Sequence, residues 1–551
     1  MSKPIRPGRK GARDRHPSPA RAGSKPSPTA AGGSGGATRW TRWFAYALIA
    51  VFAVYWATQA FTFHRMGNYG VETDFYWKYG PAARGLTHGA IEIQHYDSKG
   101  WGYPATVAVV SLLGFEMFRA GQIVALLSAL LALWLLYRLH RSLFDPGVAL
   151  AGLVLVAGNA TFLMNTYEVG TDMFFLAMVL ASIALLLRSG TPGWRAIAAS
   201  GLLGGWAFST RYNGLFLLPG VLALFMLVRV PPGPMRVQWR RSGLWVAGFV
   251  LGALPWLWIN AAHTGNPLSN SNYVNVGYAV YGEGNWEKFF YGGGRKINSF
   301  LDVVMLDPGR FAGAMAKNVV EHVRRDLFEL LSPPWGVLAM IGTLLLVTGD
   351  RPNRRVVGYL IFGALGFLSL VPVFYGTRFS LPLLPFYAAL ATWPLLSPRL
   401  TALFGGLERA FPARAFVYLL IAAPVAFAAI AWTDDADNPE ALRAAPYELS
   451  PAIQFLGENA RAGSDALIAR KPHAAFMANL RFVPIPEVAN LDSLRAVAGR
   501  ERARLLLVSG TEIRFRPALR PLAEPVVEIP GYRRIFESPG ALVYEVTPPT
   551  P

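Results

Sequence analysis

Hydropathy is the first constraint on this chain. From Trp43 to Phe63 it carries no charged side chain, a stretch long enough to cross a hydrocarbon layer of about 30 Å as a helix. Similar apolar stretches lie near Ala120–Tyr137, Pro146–Asn165, Met173–Leu187, Ala196–Ser209, Asn213–Val228, Gly243–Asn260, Pro334–Val347, Val356–Tyr375, Phe379–Ser397 and Ala415–Trp432. Lipid offers backbone groups no partners, so segments of this kind cross as helices. The predicted fold class is mainly α: a polytopic transmembrane helical bundle of about eleven spans. Composition agrees, because 53% hydrophobic and 15% charged residues leave too little charge to clothe a soluble particle of 551 residues. There are no cysteines, which excludes disulfides and thiolate metal sites.

Charge orients the bundle. Residues 1–42 hold ten basic side chains against Asp14, a balance of 10 − 1 = +9 out of a net +19. The segment is rich in Pro, Gly, Ser and Ala and is predicted to be a disordered tail held at the cytoplasmic side by anionic lipid. It lacks interleaved aromatics, so nucleic-acid binding is not expected. The apolar stretch Tyr103–Phe118 is short. If it lies in the interface instead of crossing, the basic groups Arg138/Arg141, Arg188/Arg195, Arg229/Arg236/Arg240/Arg241, Arg351/Arg354/Arg355 and Arg399/Arg409/Arg414 all fall on the tail's side. That is what the positive-inside bias demands. The loops 64–119 and 261–333 then face outward, and the C-terminus does too. The chain is expected to be multi-pass in its membrane.

Three regions follow: the tail 1–42, a membrane module 43–432, and a small soluble α/β domain, 433–551, on the outer side. The last is read from a helix at Pro451–Ala460 capped by Ser450, a helix near Leu491–Gly499, and β-type runs at Ala466–Ala469, Leu505–Ser509, Val526–Ile529, Arg533–Glu537 and Leu542–Val546. It contains no nucleotide-binding glycine motif, and a structural role suits it best.

Within the first outer loop, Val71-Glu72-Thr73-Asp74-Phe75-Tyr76-Trp77-Lys78-Tyr79 interleaves acids with aromatics where the chain leaves the membrane. A carboxylate there is costly unless it is solvated, paired or used. Asp74 therefore reads either as a general base or as a solvated helix end. A second acidic turn, Tyr167-Glu168-Val169-Gly170-Thr171-Asp172, falls on the same face. Asp172 reads as a second site acid or as the cap of the next helix. Arg211 and Arg378 stand on the outer side against the charge bias, and each suits a phosphate anion or a snorkelling contact with ordinary lipid.

These residues carry a resemblance. The loop with Asp74, the Gly102-Tyr103-Pro104 helix entry, the turn ending in Asp172, Arg211-Tyr212-Asn213-Gly214 and the Arg378-Phe379-Ser380-Leu381-Pro382-Leu383-Leu384-Pro385 run occur in one order. The chain thereby resembles the GT-C superfamily of polytopic glycosyltransferases over about Trp43–Ser397. It is similar to the bacterial branch related to protein O-mannosyltransferases and to the lipid A aminoarabinose transferase. The resemblance implies a polyprenyl-phosphate-linked sugar donor and a hydroxyl acceptor on a lipid, glycan or protein. It further implies inversion at the anomeric carbon on the periplasmic face.

Carried over, Asp74 is the general base, and Asp172 with Glu168 orients the acceptor or stabilises the sugar's developing positive charge. Lys99, Arg211 and Arg378 meet the donor phosphate. Glu72, Tyr103, Tyr167 and Tyr212 belong to the acceptor or sugar pocket. The chain departs from the family pattern where Thr73 separates Glu72 from Asp74, and where Lys99-Gly100-Trp101-Gly102-Tyr103-Pro104 replaces a Lys followed by two prolines. No cofactor is expected; the two acidic sites could bind a divalent metal, but metal independence is the favoured reading. The competing class is a membrane transporter or lipid flippase, which would place its charges near the midplane and in two related halves.

Overall fold

The apolar stretches become helices of unequal length. Helix α1 runs from Ser34 to Thr58 and continues through a π turn to Phe63. It is followed by α2 (Gly80–Thr87), α3 (Gly102–Ser111), α4 (Met117–Leu143), α5 (Pro146–Ala157), α6 (Ala160–Tyr167), α7 (Thr171–Leu187), α8 (Trp194–Thr210) and α9 (Met235–Thr264). Beyond a helical loop come α10 (Pro333–Thr348), α11 (Arg354–Leu370) and α12 (Leu384–Thr392). This computed structural model describes residues 34–285, 289–290, 297–348, 353–396, 445–486, 488, 490–524 and 528–548. The predicted span Ala415–Trp432 and the basic residues Arg351, Arg399, Arg409 and Arg414 lie outside those residues.

The chain is a multi-pass membrane protein. Among the described residues, three helices are long and apolar enough to span by length and composition, Arg39–Phe63, Met117–Leu143 and Met235–Thr264, and the bent pair α5–α6 makes a fourth if counted as one. The bend is 62° and falls where Asn159 caps α6 by accepting from Phe162 N–H at 3.1 Å. The other predicted spans are shorter or interrupted. Val356–Tyr375 stops at Leu370, shortly before Pro372. Phe379–Ser397 breaks into short helical pieces around Pro382, Pro385 and Pro394, a break that surrounding protein can tolerate. Helix α1 begins at Ser34 instead of Trp43, because a helix nucleated in the apolar run propagates cheaply backwards through Ala37–Arg39. Helix α3 is ten residues long, about 15 Å of rise, half of what a span needs.

Glycines bring α8 and α9 into backbone contact. A Cβ on Gly201 or Gly205 would stand 2.2 or 2.1 Å from the carbonyl oxygens of Trp245 and Phe249. One on Gly248 or Gly252 would stand 2.4 or 2.3 Å from those of Ala198 and Leu202. This four-residue spacing of small residues on both partners is how membrane helices gain packing without a hydrophobic driving force. It rigidly places the end of α8, where Arg211 follows.

Among the described residues between 445 and 548 is a mixed five-stranded sheet in the order β2-β1-β3-β5-β4. The strands are β1 (Ala466–Ala469), β2 (Arg481–Pro484), β3 (Leu505–Ser509), β4 (Tyr532–Ser538) and β5 (Ala541–Val546). β1 lies parallel to β2 and β3, and β5 antiparallel to β3 and β4. Strand β2 has no apolar alternation and ends in Pro484, which hid it in the sequence. Of the predicted run Val526–Ile529, the described part contributes only one bridge, Ile529 to Tyr532. The helices are α13 (Ser450–Asn459), α14 (His473–Met477), α15 (Leu491–Arg500) and α16 (Gly510–Phe515). Ser450 is the first residue inside α13, not its cap, and Pro451 occupies the first turn.

The cysteine-free chain makes orientation directly measurable. A single cysteine replacing the exposed Glu458 is expected to react with a membrane-impermeant maleimide from outside intact spheroplasts. One replacing the exposed Ser189 is expected to react only after permeabilisation. The opposite pattern would invert the topology.

Candidate active site

Two carboxyl groups of the acidic turns, Glu72 and Glu168, meet near the end of α1. Glu72 is fully buried. Its Oε1 accepts from His64 Nε2 at 2.8 Å and from Val169 N–H at 2.7 Å; its Oε2 accepts from Asn68 N–H at 2.8 Å. Glu72 thus fastens the first loop to the turn between α6 and α7. Asn68 Nδ2 donates to Glu168 Oε1 at 2.6 Å, while Glu168 Oε2 is buried without a hydrogen-bond partner. Burial, reinforced by the nearby Glu72, pushes the Glu168 carboxyl up to about 8, so it holds a proton at neutral pH.

Asp74 turns the other way. It precedes a π turn, Phe75–Tyr79, whose Phe75, Tyr76 and Tyr79 are buried. Its side chain is 40% exposed and faces a cavity of about 1590 Å³. Lys99 Nζ and Arg378 Nη2 each stand 3.4 Å from its Oδ2. Burial pushes the Asp74 carboxyl up, but Lys99 and Arg378 outweigh it and hold the group at about 2. Burial depresses the Lys99 ammonium to about 8, against the pull of Asp74. Behind this wall Arg211 Nη1 pairs with Asp172, both buried. Asp172 lies within the first turn of α7 and makes no side-chain cap bond at Gly170. The Asp74, Asp172, Lys99, Arg211 and Arg378 charges sum to 3 − 2 = +1, which leaves the cluster suited to one further anion.

Several elements hold these groups. Gly100 and Gly102 press the Lys99 turn onto the end of α8, where added Cβ atoms would stand 2.3 Å from Ser209 O and 2.6 Å from Thr210 Oγ1. That close approach is what glycine supplies where the family pattern has prolines. Ser271 N–H donates to Asp97 O at 2.6 Å and Asn272 Nδ2 to Ser98 O at 2.8 Å, tying the same segment to the loop after α9. Tyr387 OH, in α12 shortly after the helical turn carrying Arg378, donates to the buried Asp326 at 2.8 Å.

The structure sorts the sequence-predicted residues. Asp74, Lys99 and Arg378 line the cavity together, in mutual contact instead of facing each other across it. Asp172, Arg211, Glu168 and Glu72 lie buried behind its wall. Tyr103 packs edge-on to Tyr79 within the core, Tyr167 stacks on Trp56, and the Tyr212 hydroxyl accepts from Trp256 Nε1 at 3.1 Å. These three tyrosines and Glu72 are absent from the cavity lining. No group of three or more His, Asp or Glu among the described residues is arranged to hold a metal ion.

The C-terminal domain supplies part of the cavity wall, including Lys471, Asn479, Arg481 and Phe482. It also grips the first loop. His473 Nε2 bonds Asn68 O at 2.9 Å and its ring lies 4.2 Å from that of Tyr76. Burial holds the His473 imidazole down to about 3, so it is neutral. Phe476 packs edge-on to Phe75 and Tyr76, and the Arg84 guanidinium covers its other side at 4.1 Å.

Comparison with known proteins agrees with this fold. Residues 102–259 match the family of dolichyl-phosphate-mannose-protein mannosyltransferases. That range includes Tyr103, Tyr167, Glu168, Asp172, Arg211 and Tyr212 and excludes Asp74, Lys99 and Arg378. No curated protein matches the chain. Among solved structures, the fold is similar to ArnT from Cupriavidus metallidurans bound to undecaprenyl phosphate, with a TM-score of 0.58, 13% identity, and 92% of this chain and 98% of that chain covered. It is also similar to the oligosaccharyltransferase of Archaeoglobus fulgidus in the apo form, with a TM-score of 0.56, 14% identity, and 92% and 75% covered. The chain is a polytopic membrane glycosyltransferase with the GT-C fold.

The grip on the first loop generates a prediction. His473→Phe keeps a ring against Tyr76 but leaves the Asn68 carbonyl without its donor. Turnover is expected to fall about tenfold as Asp74 loses its register, with donor affinity little changed. His473→Gln, which retains an N–H, is expected to recover part of the rate. Equal losses in both variants, tracking the folded fraction, would reduce His473 to a packing residue.

Proposed function

We propose that the protein transfers a sugar from a polyprenyl-phosphate-linked donor to a hydroxyl acceptor, with inversion, in the cavity under the C-terminal domain and on the periplasmic face. The observation that carries this reading is Asp74 on the cavity wall with Lys99 and Arg378 both at 3.4 Å from one of its oxygens. Base and phosphate-binding cations thus border one cavity, and in-line displacement follows once the donor phosphate draws Lys99 and Arg378 away from Asp74 to the opposite face of the sugar. Asp74 takes the acceptor's O–H proton. The freed oxygen forms the bond to the anomeric carbon as the bond to phosphate breaks, and the lipid phosphate leaves with that electron pair. Lys99 and Arg378 stabilise the departing anion, so no general acid is needed.

The resting arrangement suits this order of events. Held at about 2 by the two cations, Asp74 is a weak base in the empty site. A donor phosphate draws Lys99 and Arg378 toward itself and adds negative charge nearby. Both effects raise the proton affinity of Asp74, so the base gains strength only when the donor is present. Asp172 and Arg211 act one layer back: as a buried pair they fix the wall on which Arg378 rests. Glu168, protonated and out of the cavity, is a positioning group for Asn68. The acceptor's class is left open by this chemistry beyond its hydroxyl.

Single-turnover transfer from a lipid-linked sugar, read beside donor binding, tests the assignment. Asp74→Asn is expected to lower turnover about 10²–10⁴-fold with little loss of donor affinity. Arg378→Ala is expected to weaken both, and Arg378→Lys to recover only part, lacking the planar fork. Near-normal turnover in Asp74→Asn would remove Asp74 as the base.

Lys99 gives a pH signature. Its free-site value of about 8 rises when a phosphate binds. Donor affinity is therefore expected to be full below about pH 8 and to decline as pH climbs from the free toward the bound value. Lys99→Arg is expected to flatten that decline. An unchanged profile in the variant would exclude Lys99 from the phosphate site.

A further inference from the structure

Helices α1, α4 and α7 each have one end near the acidic turns and the other at a second concavity. Asp172 stands in the first turn of α7 and Arg188 caps its last. The intervening 17 residues place the two ends about 25 Å apart. Arg42 near the start of α1, Arg138 and Arg141 near the end of α4, and Arg188 all line a cavity of about 850 Å³. No acidic side chain is among its lining residues. Among the described residues, the side chains of these four arginines make no hydrogen bond or ion pair; Arg138 lies 5.1 Å over the Trp134 ring. The remaining wall is largely apolar, with Leu135 and Leu185 prominent. Arg188 also lines an adjoining cavity of about 410 Å³, together with Arg229 and Arg354.

We propose that this arginine-lined cavity binds the headgroup of an anionic phospholipid, whose acyl chains follow the apolar wall toward the membrane interior. Four like charges gathered without a counter-ion repel one another, and an anion supplied from outside removes the penalty. The guanidinium fork matches phosphate oxygens. A free phosphate would gain nothing from the leucine wall, whereas a lipid uses both surfaces. Basic pockets between membrane helices are suited to lipids of this kind, and Tyr46 and Trp134 at the rim are amphipathic side chains of the headgroup zone. Because Arg188 joins two cavities, a lipid with two phosphate groups fits best. This site stands apart from the donor cavity and does not rest on the reading of that cavity.

The test is thermal unfolding of the delipidated full-length protein in mild detergent, with added cardiolipin, phosphatidylcholine or inorganic phosphate. Cardiolipin is expected to raise Tm by several degrees through binding the folded state, and the other two are not. Arg138→Gln combined with Arg188→Gln is expected to abolish the rise. Arg378→Ala, which alters only the donor cavity, is expected to keep it. A full rise in the double variant overturns the proposal. An equal rise with inorganic phosphate makes the site one for free anions, and an equal rise with phosphatidylcholine removes the charge argument; either result also overturns it. If the double variant does not fold, Arg42→Gln combined with Arg141→Gln probes the same cavity. Native mass spectrometry of the unaltered protein needs no variant: retained cardiolipin that phosphatidylcholine displaces freely would equally overturn the site.

Discussion

The buried carboxyl of Glu72 is the interaction on which the active-site region depends. It gathers three donors from three places: His64 at the end of α1, the backbone of Asn68, and the backbone of Val169 between α6 and α7. Each of those donors would cost about 1–3 kcal/mol if left buried and unpaired. The network therefore has one low-energy arrangement. Through Asn68 it extends to Glu168 and, by the Asn68 carbonyl, to His473 of the C-terminal domain. The separation of Glu72 from Asp74 by Thr73 follows from this geometry. With a helical turn beginning there, one acid points into the protein and the other into the cavity.

Charge is then layered by depth. At the cavity wall stand Asp74, Lys99 and Arg378, partly solvated and close enough to exchange partners. Behind them Asp172 and Arg211 form a closed pair between the rings of Phe175 and Phe379. A closed buried pair is a poor ligand for a substrate, since opening it leaves an uncompensated charge in a low-dielectric setting. It is a good support, because it holds a residual field on the cavity without moving. The two layers separate cavity-facing from fully buried charges among residues that look alike in the sequence.

The C-terminal domain belongs to the same argument. Phe476 fits against Phe75 and Tyr76, and Arg84 covers its other side. The turn that carries Asp74 is thereby packed from below by membrane helices and from above by the domain. Lys471 and Arg481 also reach the cavity, so the domain forms part of its wall.

Hydropathy and charge alone determined that this chain is a helical membrane protein with acidic turns and isolated arginines gathered at one face. Apolar length and the avoidance of exposed charge in lipid are local properties, so they are written in the order of residues. Four of the five strands were legible for the same reason, while β2, polar and ending in Pro484, carried no periodic signal. Asp74, Lys99 and Arg378 were legible as chemistry but not as neighbours, because residues 25 and 304 positions apart along the chain meet only after the bundle forms. Tyr103, Tyr167 and Tyr212 stand near the motifs but off the cavity lining for the converse reason. A tyrosine near a motif satisfies its neighbours by packing as readily as by facing substrate, and only the tertiary structure decides which surface it joins. The same holds for Glu72 and Glu168, whose burial was set by the backbone donors that folding brought to them.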